Sequence, residues 1–178
     1  MGIIGQGSAM VQQGLVEYGI ERLRAGLDSL QSTGARIMMP YFLGMLAEAY
    51  GKPGRSQDGL SVLAEAIAMA NVTRERWWEA ELYRLKGELM LKLDGPQSRA
   101  SEGESVEECF RRANSIARSQ NATFLELRAK MSLARLLASQ GRSGEARTTL
   151  SEIYNRFTEG FDTRDLKEAK ALLDELSA

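Results

Sequence analysis

The sequence predicts an all-α fold of stacked helical hairpins, and three observations lead to this class. First, the chain repeats at a spacing of 40 residues, so that Gly19 and Leu23 recur as Gly59 and Leu63. A fixed period of about 20 to 50 residues is typical of helical arrays. Second, apolar residues recur at helical spacing between glycine and proline breaks. Third, no stretch alternates between apolar and polar residues as a half-buried strand would.

The individual helices follow from the apolar stripes, taken in chain order. In the second copy, four apolar residues lie at positions i, i+3, i+4 and i+7, which is one face of an α-helix. These are Leu43, Leu46, Ala47 and Tyr50. The later stripes are Leu60, Leu63, Ala64 and Ile67; Leu82, Leu85, Leu89 and Leu93; Phe110, Ala113, Ile116 and Ala117; Leu133, Leu136 and Leu137; and Ala146, Leu150 and Ile153. We therefore expect about nine helices, each antiparallel to its neighbours.

The repeat boundaries divide the single domain, residues 1–178, into four hairpin units and a final helix. The units are placed at 1–34, 35–74, 75–121 and 122–160, and the capping helix at 161–178. About seven extra residues fall in the polar segment 94–106, and additions to repeat arrays collect in loops. We interpret this segment as a surface loop without a function of its own.

The two ends of the chain differ in character. Ile3 and Gly7 align with Leu43 and Ala47, so the first helix reads as one whose front turn is missing. We expect the chain to be the C-terminal fragment of a longer protein. We also expect its open apolar end to produce a homo-oligomer through uncovered side chains, which are Ile3, Ile4, Met10, Val11, Leu15 and Val16. At the other end Asp162 is expected to cap a last helix that closes the array.

Small and large residues within one unit follow a known order. In the second copy the order is Leu43, Leu46, Ala47, Tyr50, Gly54, Gly59, Leu63 and Ala66. This order resembles the signature of the tetratricopeptide repeat (TPR), in which small residues let two helices cross closely. The resemblance implies a right-handed α-α superhelix, a TPR-like solenoid with a concave groove. The unit of 40 residues exceeds the standard of about 34, and Asn71 stands where a closing proline is usual.

Two segments carry a more specific resemblance. Residues 33–54 and 157–176 are similar to the C-terminal TPR-like region of multidomain bacterial proteins. Those proteins join a class III adenylate/guanylate cyclase domain, or a winged-helix DNA-binding domain, to a predicted ATPase domain. The resemblance implies a regulatory module of signal transduction beside a nucleotide enzyme. The chain has no cyclase, Walker or winged-helix motif, so no catalytic residue is carried over from those domains.

Composition excludes several functional classes. The formal net charge is −1, the chain has no histidine, and its one cysteine, Cys109, lies beside Phe110. Without histidine, Ser-His-Asp and Cys-His nucleophile systems are excluded, and no metal-ligand spacing occurs. We therefore expect no enzyme activity, no cofactor and no metal, and we interpret Cys109 as a packed thiol. Interspersed charges argue against nucleic-acid binding, and the lack of a long apolar run argues for a cytoplasmic location.

The resemblance also implies a partner-binding groove, lined by the first helix of each hairpin. Carried onto this sequence, its residues are Tyr41, Glu48, Lys52, Glu81, Arg84, Glu88, Lys92, Arg128, Met131 and Arg135. We expect solvated side chains there, so Arg84→Ala and Arg128→Ala should change stability by less than about 0.5 kcal/mol. Gly44 and Glu48 occupy positions where a carboxylate clamp needs lysine and asparagine, so binding of a chaperone tail is not expected.

Two binding functions therefore remain open. The first is a non-catalytic scaffold whose groove binds a protein or peptide, or the ATPase or cyclase domains of its parent chain. The second is a small-molecule sensor, which an aromatic pocket containing Tyr41, Trp77 or Trp78 would favour. We interpret Trp77 and Trp78 primarily as core residues and, alternatively, as a stacking platform for a ligand. For an independent enzyme the sequence offers no candidate residues.

Overall fold

A computed structural model describes residues 2–94 and 103–177, which form nine α-helices and no strand. The helices are α1 (Gly2–Gln12), α2 (Val16–Ser32), α3 (Met39–Tyr50), α4 (Ser56–Thr73), α5 (Glu79–Asp94), α6 (Val106–Ser119), α7 (Thr123–Ser139), α8 (Ser143–Tyr154) and α9 (Arg164–Glu175). The predicted all-α class and the helix count are confirmed for this part of the chain. In the same residues, no helix is both long and apolar enough to cross a membrane.

The helices pack as consecutive hairpins in two layers. α1 pairs with α2, α3 with α4, α5 with α6 and α7 with α8, while α9 packs on α7 and α8. The odd-numbered helices also contact one another in sequence, from α1 through α3, α5 and α7 to α9. The odd-numbered helices therefore form one continuous layer, and the side chains on its open face share one surface.

Small residues lie where the helices of a hairpin cross, as the repeat pattern predicts. A Cβ atom added to Gly7 would lie 2.9 Å from the Gly19 carbonyl oxygen, and one added to Gly19 would lie 2.8 Å from the Gly7 carbonyl oxygen. In the second hairpin the equivalents are Ala47, which is fully buried, and Gly59, where an added Cβ atom would lie 2.9 Å from the Ala47 carbonyl oxygen. The α1/α2 backbones thus approach too closely for any side chain at the two glycines.

Ala134 of α7 allows a direct test of this packing. It is fully buried and stands in repeat register with Ala47 and Gly87. Ala134→Leu should overpack the α7/α8 hairpin and lower the free energy of unfolding by about 1 to 3 kcal/mol, measured by urea denaturation. The matched control is Ala64→Leu on the exposed side of α4, for which we expect a change below about 0.5 kcal/mol. Equal urea midpoints for the two variants would contradict the predicted close crossing.

The apolar core divides along α5. One cluster of buried side chains runs from Ile4 to Leu89 and a second runs from Met90 to Leu172, with Leu60 packed against both. Leu89 and Met90 are neighbours on α5, so this helix presents successive residues to the two clusters. The two halves of the array therefore share α5 as a common wall.

Cys109 lies inside the second cluster, as a packed thiol should. Its Sγ atom is 3.7 Å from the Met90 sulfur, and burial raises the pKa of the Cys109 thiol to about 12. Since the thiolate is the reactive form, the folded protein should react with iodoacetamide far more slowly than the protein unfolded in urea. Mass spectrometry of the labelled chain measures both rates. Equally fast labelling of the folded protein would mean that Cys109 is accessible.

The structure differs from the sequence prediction at the start of α9 and adds a capping interaction at the start of α6. α9 follows Thr163 and not Asp162, because the Thr163 hydroxyl donates a hydrogen bond to the Gly160 carbonyl oxygen and extends the turn by one residue. In the polar segment, residues 95–102 lie outside the described part of the chain. At its end, Ser105 and Glu108 form a capping box at the start of α6, a signal that the sequence contains.

The N-terminal end is only partly open. Ile4 and Val11 are buried, whereas Ile3 and Leu15 are exposed. The expectation that all of these side chains are uncovered is therefore wrong for Ile4 and Val11. The reason is that one face of α1 packs on its hairpin partner α2, which leaves only the opposite face uncovered.

Candidate functional site

The layer of odd-numbered helices surrounds a cavity of about 510 Å³, which we call the concave cavity. Its lining residues are Ser8, Gln12, Tyr41, Gly44, Met45, Glu48, Trp78, Glu81, Arg84, Leu85, Arg128, Met131, Ser132, Arg135, Arg164, Asp165 and Glu168. They come from α1, α3, α5, α7 and α9, together with Trp78 just before α5. This volume falls within the range of ligand pockets, about 300 to 1,000 Å³.

Most of the residues assigned to the groove from the repeat register lie in the concave cavity. They are Tyr41, Glu48, Glu81, Arg84, Arg128, Met131 and Arg135. Glu88 is not part of the lining, but its carboxylate pairs with Arg84 at 3.3 Å. Lys52 and Lys92 also lie outside the lining. The register therefore brings seven of the ten residues into one cavity and misses it at the C-terminal ends of α3 and α5, while partner binding at these residues stays a prediction.

The two lysines instead hold the ends of neighbouring helices. Lys52 Nζ donates to the Val11 carbonyl oxygen at 3.4 Å, and Lys92 Nζ donates to the Gly51 carbonyl oxygen at 3.3 Å. Both contacts repeat at the 40-residue spacing, since each lysine reaches back to the end of the preceding odd-numbered helix. Cations stabilise the unpaired carbonyls of a helix C-terminus, so these side chains support the wall of the cavity.

Arg84 forms a buried ion pair in the wall of the concave cavity. Its Nη2 atom donates to Glu81 Oε1 at 2.7 Å and its Nε atom donates to Glu81 Oε2 at 2.9 Å, which is a two-point pairing. The Glu81 side chain is 5% exposed and that of Arg84 is 16% exposed. The expectation of a solvated Arg84 is therefore wrong, because α7 packs across α5 and removes the pair from water.

The carboxylates near Arg84 stabilise its charged form. Burial alone lowers the pKa of Arg84, but the nearby carboxylates of Glu81 and Glu88 outweigh it and raise that pKa above its usual value. Ser132 of α7 donates a hydrogen bond of 2.6 Å to the same Glu88 carboxylate. The charged side chains of Glu81, Arg84 and Glu88 are thus paired with other groups of the protein.

Arg128 of α7 connects three helices. Its Nε atom donates to Asp165 Oδ2 of α9 at 2.7 Å, and its Nη1 atom lies 3.6 Å from Glu81 Oε1 of α5. Burial lowers the pKa of Arg128, but the hydrogen bond to Asp165 and the charge of Glu81 raise it more. The three residues therefore fix α5, α7 and α9 relative to one another at the cavity.

An aromatic cluster stands at the α3 side of the cavity. The Tyr41 ring centroid is 5.1 Å from that of Trp78 and 5.5 Å from that of Trp77, and the two tryptophans are 5.3 Å apart. Trp77 is 47% exposed, whereas Tyr41 and Trp78 are half-buried and line the cavity. The interpretation as core residues therefore fails for Trp77, because its ring stacks at the edge of the cluster and faces solvent. The rings of Tyr41 and Trp78 present aromatic surface to the cavity.

Sequence reasoning missed the contributions of the first and last helices. Ser8 and Gln12 of α1 and Arg164, Asp165 and Glu168 of α9 all line the cavity. The repeat register predicts groove positions only for complete hairpins and makes α9 a capping helix, so it predicts no contribution from α9. The sequence does contain a signal for this contribution, namely the acidic residues Asp165 and Glu168 in the first turns of α9. A helix that only covers the end of the core needs no charged residue on the side facing the cavity.

The described residues hold no group of three or more His, Cys, Asp or Glu side chains arranged to bind a metal. What the concave cavity offers is a set of fixed charges and an aromatic wall. Such an arrangement binds and orients a ligand through ion pairs and ring contacts.

Comparisons with known proteins agree with this architecture. No protein-family model matches the sequence. An uncharacterized protein of Rhizobium meliloti is 34% identical over 125 residues, a match that covers 70% of this chain and 12% of that protein. The chain thus spans a small fraction of the length of this relative.

A solved structure shows the fold class. The TPR-like repeats of a protein assigned as a kinesin light chain from Podosopora anserina match with a TM-score of 0.70 and 16% identity, over 98% of this chain and 83% of that one. The chain therefore has a TPR-like helical repeat fold. Repeat arrays of this kind present an extended concave surface that is used for binding. The resemblance to cyclase-linked and ATPase-linked proteins is tested by neither match and stays a prediction.

Proposed function

We propose that this chain is a non-catalytic, cytoplasmic module of bacterial signal transduction that binds a segment of a protein in the concave cavity. The observation that carries the proposal is the continuity of the site, since five helices from successive hairpins contribute to one cavity. Repeat arrays use such extended concave surfaces for binding. The partner is either a separate protein or a domain of the parent chain.

The finer form of the proposal makes the module a C-terminal regulator. Its support is the resemblance of residues 33–54 and 157–176 to the TPR-like region of cyclase, ATPase and winged-helix regulator proteins. In such a protein the cavity would bind a segment of the neighbouring ATPase or cyclase domain. Preorganised pairs such as Arg84 with Glu81 favour this role, because a fixed wall loses little conformational entropy on binding.

Site-specific photo-cross-linking in bacterial cells tests the proposal. A photoreactive benzoylphenylalanine at position 135, where Arg135 is half-exposed in the cavity, should form a cross-link to a defined protein segment. The same group at position 64, on the exposed side of α4, is the matched control and should form none. Mass spectrometry identifies the cross-linked segment. Equal cross-linking at both positions, or at the control alone, would place partner binding outside the cavity.

A small-molecule sensor is the second candidate, and the aromatic cluster is the observation that favours it. Aromatic rings that line a cavity, as Tyr41 and Trp78 do, stack well against flat or sugar-like ligands. In this case a saturating sugar should raise the melting temperature, because a ligand that binds only the folded state stabilises it. Trp78→Ala should remove that shift. If the sugar raises the melting temperature of both proteins equally, the aromatic cluster is not its site.

A second surface supports the proposed self-association. In the 40-residue register, Gly2 and Ala9 of α1 correspond to Phe42 and Ala49 of α3. Phe42 and Ala49 are buried, whereas Gly2 and Ala9 are exposed. We infer that the same face of α1 receives a second copy of this chain, since Ile3 beside it is also exposed.

Sedimentation velocity tests this association. The wild-type chain should shift from monomer to dimer as its concentration rises, and Ile3→Glu should remain monomeric because a charge on a packed apolar face is costly. Val72→Glu, on an exposed position of α4, is the control and should dimerise like the wild type. A wild-type chain that stays monomeric throughout would contradict the inference.

A further inference from the structure

We propose that the concave cavity selects a cationic peptide segment, one that places a lysine or arginine side chain on Glu48 and a second one on the rings of Tyr41 and Trp78. This inference rests on the proposed function, because it names the chemistry of the segment that the cavity receives. It follows from the distribution of charge in the cavity and from the position of the aromatic cluster.

The cavity lining holds four carboxylates and four arginines, but the ion pairs among them are unevenly distributed. Each arginine of the lining has a carboxylate partner, and Arg135 and Arg164 share the carboxylate of Glu168, at 3.7 Å and 2.7 Å. Glu48 alone among the lining carboxylates forms no ion pair or hydrogen bond with a described residue, although its charge acts on Arg84 and Arg164. The carboxylate of Glu48 is therefore the lining charge that has no direct ion-pair partner among the described residues.

The second observation behind the proposal is the aromatic surface near Glu48. Tyr41, Gly44 and Glu48 line the cavity from the same face of α3. A Cβ atom on Gly44 would lie 2.9 Å from the Leu82 Cδ2 atom and 3.6 Å from the Trp78 Nε1 atom, so the indole lies beside this glycine. A free carboxylate and an aromatic wall thus share one helix face. A cation within about 6 Å of such a ring is attracted by its negative face.

The spacing indicates an extended segment. Seven residues of α-helix separate Tyr41 from Glu48, a distance of about 10 Å along the helix axis. In an extended polyproline-type chain, positions i and i+3 point the same way and lie about 9 Å apart. Two cationic side chains three positions apart in the peptide therefore match the two features of α3.

An acidic segment would be a poor fit. Its carboxylates would compete with Glu168 for the exposed Arg135 and Arg164, where water screens the gain. Elsewhere in the cavity they would have to displace Asp165 from Arg128, a contact of 2.7 Å, or Glu81 from Arg84, also at 2.7 Å. These last two pairs are at least partly buried, so the displaced carboxylate would lose its partner at a site that water screens weakly. Charge complementarity therefore favours a basic segment over an acidic one.

Tryptophan fluorescence tests the inference directly, because both tryptophans of the chain belong to the aromatic cluster. Three capped heptapeptides serve as probes, with two lysines, two glutamines or two glutamates placed three positions apart. The lysine peptide should change the emission in a saturable way and bind about tenfold more tightly than the glutamine peptide, as an exposed ion pair plus a cation–π contact allows. The preference should shrink as salt is added.

Two variants assign the effect to Glu48. Glu48→Gln keeps the shape of the side chain and removes no contact within the described protein, so it should fold normally and lose the preference for lysine over glutamine. The matched control is Glu65→Gln, the same change on an exposed position of α4, and it should bind like the wild type. Circular dichroism confirms that each variant is folded.

The outcomes separate this inference from the proposed function. Tighter binding of the glutamate peptide, or an undiminished lysine preference in Glu48→Gln, overturns the inference. If no peptide changes the emission while the cross-link at position 135 still identifies a partner segment, the inference fails and the proposed function stands. If that cross-link is also missing, the proposed function fails with it.

Discussion

Arg84→Ala should lower the free energy of unfolding by about 3 to 5 kcal/mol, although its position in the sequence marks it as a surface residue. The substitution leaves Glu81, whose side chain is 5% exposed, without its two-point partner. Arg128 at 3.6 Å compensates only weakly, because its short contact is to Asp165. Urea denaturation monitored by circular dichroism measures the loss.

Two further variants show whether the loss of stability in Arg84→Ala comes from the Glu81 carboxylate that is left without its partner. Arg22→Ala, an exposed arginine on α2, should change stability by less than about 0.5 kcal/mol. Adding Glu81→Gln to Arg84→Ala should recover part of the lost stability, because it removes the unpaired charge. If Arg84→Ala is as mild as Arg22→Ala, the pair is solvated and our description of the cavity wall is wrong.

Phe110→Ala should cost a similar amount, about 3 to 5 kcal/mol, for an apolar reason. Phe110 of α6 is fully buried in the second core cluster. Its ring lies against Gly87 of α5, where an added Cβ atom would be 2.5 Å from the Phe110 Cε1 atom. The removed ring leaves a cavity at the crossing of α5 and α6 that the glycine cannot fill.

Hydrogen exchange measures where this damage is felt. In a repeat array each unit contacts only its neighbours, so Phe110→Ala should reduce protection in α6 to α9 more than in α1 to α4. Phe161→Ala, at a side chain that is 47% exposed, is the control and should have a small effect. Uniform loss of protection along the chain would show that both core clusters unfold as one unit.

Much of the fold could be predicted from the sequence because its units are local. Helical spacing, glycine breaks and the small residues at Gly7 and Gly19 reflect contacts within one hairpin. Because the sequence is repetitive, the same pattern of contacts can be recognised in several hairpins. Errors occur where a unique contact replaces a repeated one. Thr163 and not Asp162 precedes α9, where both the backbone N–H and the hydroxyl of Thr163 donate to the Gly160 carbonyl oxygen.

The candidate site was less predictable, because its character depends on contacts between units. The register places Glu81 and Arg84 on the inner face, but their burial follows from the packing of α7 on α5. The pairing of Arg128 with Asp165 joins residues from different elements, and only the three-dimensional path of the chain brings them together. A sequence pattern predicts which face of a helix points inward, but it does not give the distance from that helix to its neighbour.

The uneven spread of ion pairs gives the array a mechanical asymmetry. In the C-terminal half, Arg128 ties α7 to α9 and Arg142 pairs with Glu107 at 2.9 Å, so bending there would break short, hydrogen-bonded contacts. In the N-terminal half, the described side-chain ion pair between hairpins joins Arg55 to Glu17 at 3.5 Å, and both side chains are exposed. Another described polar contact between these hairpins is a long hydrogen bond, that of Lys52 with the Val11 carbonyl oxygen at 3.4 Å. We therefore expect the region of α1 to α4 to bend more readily than the region of α5 to α9.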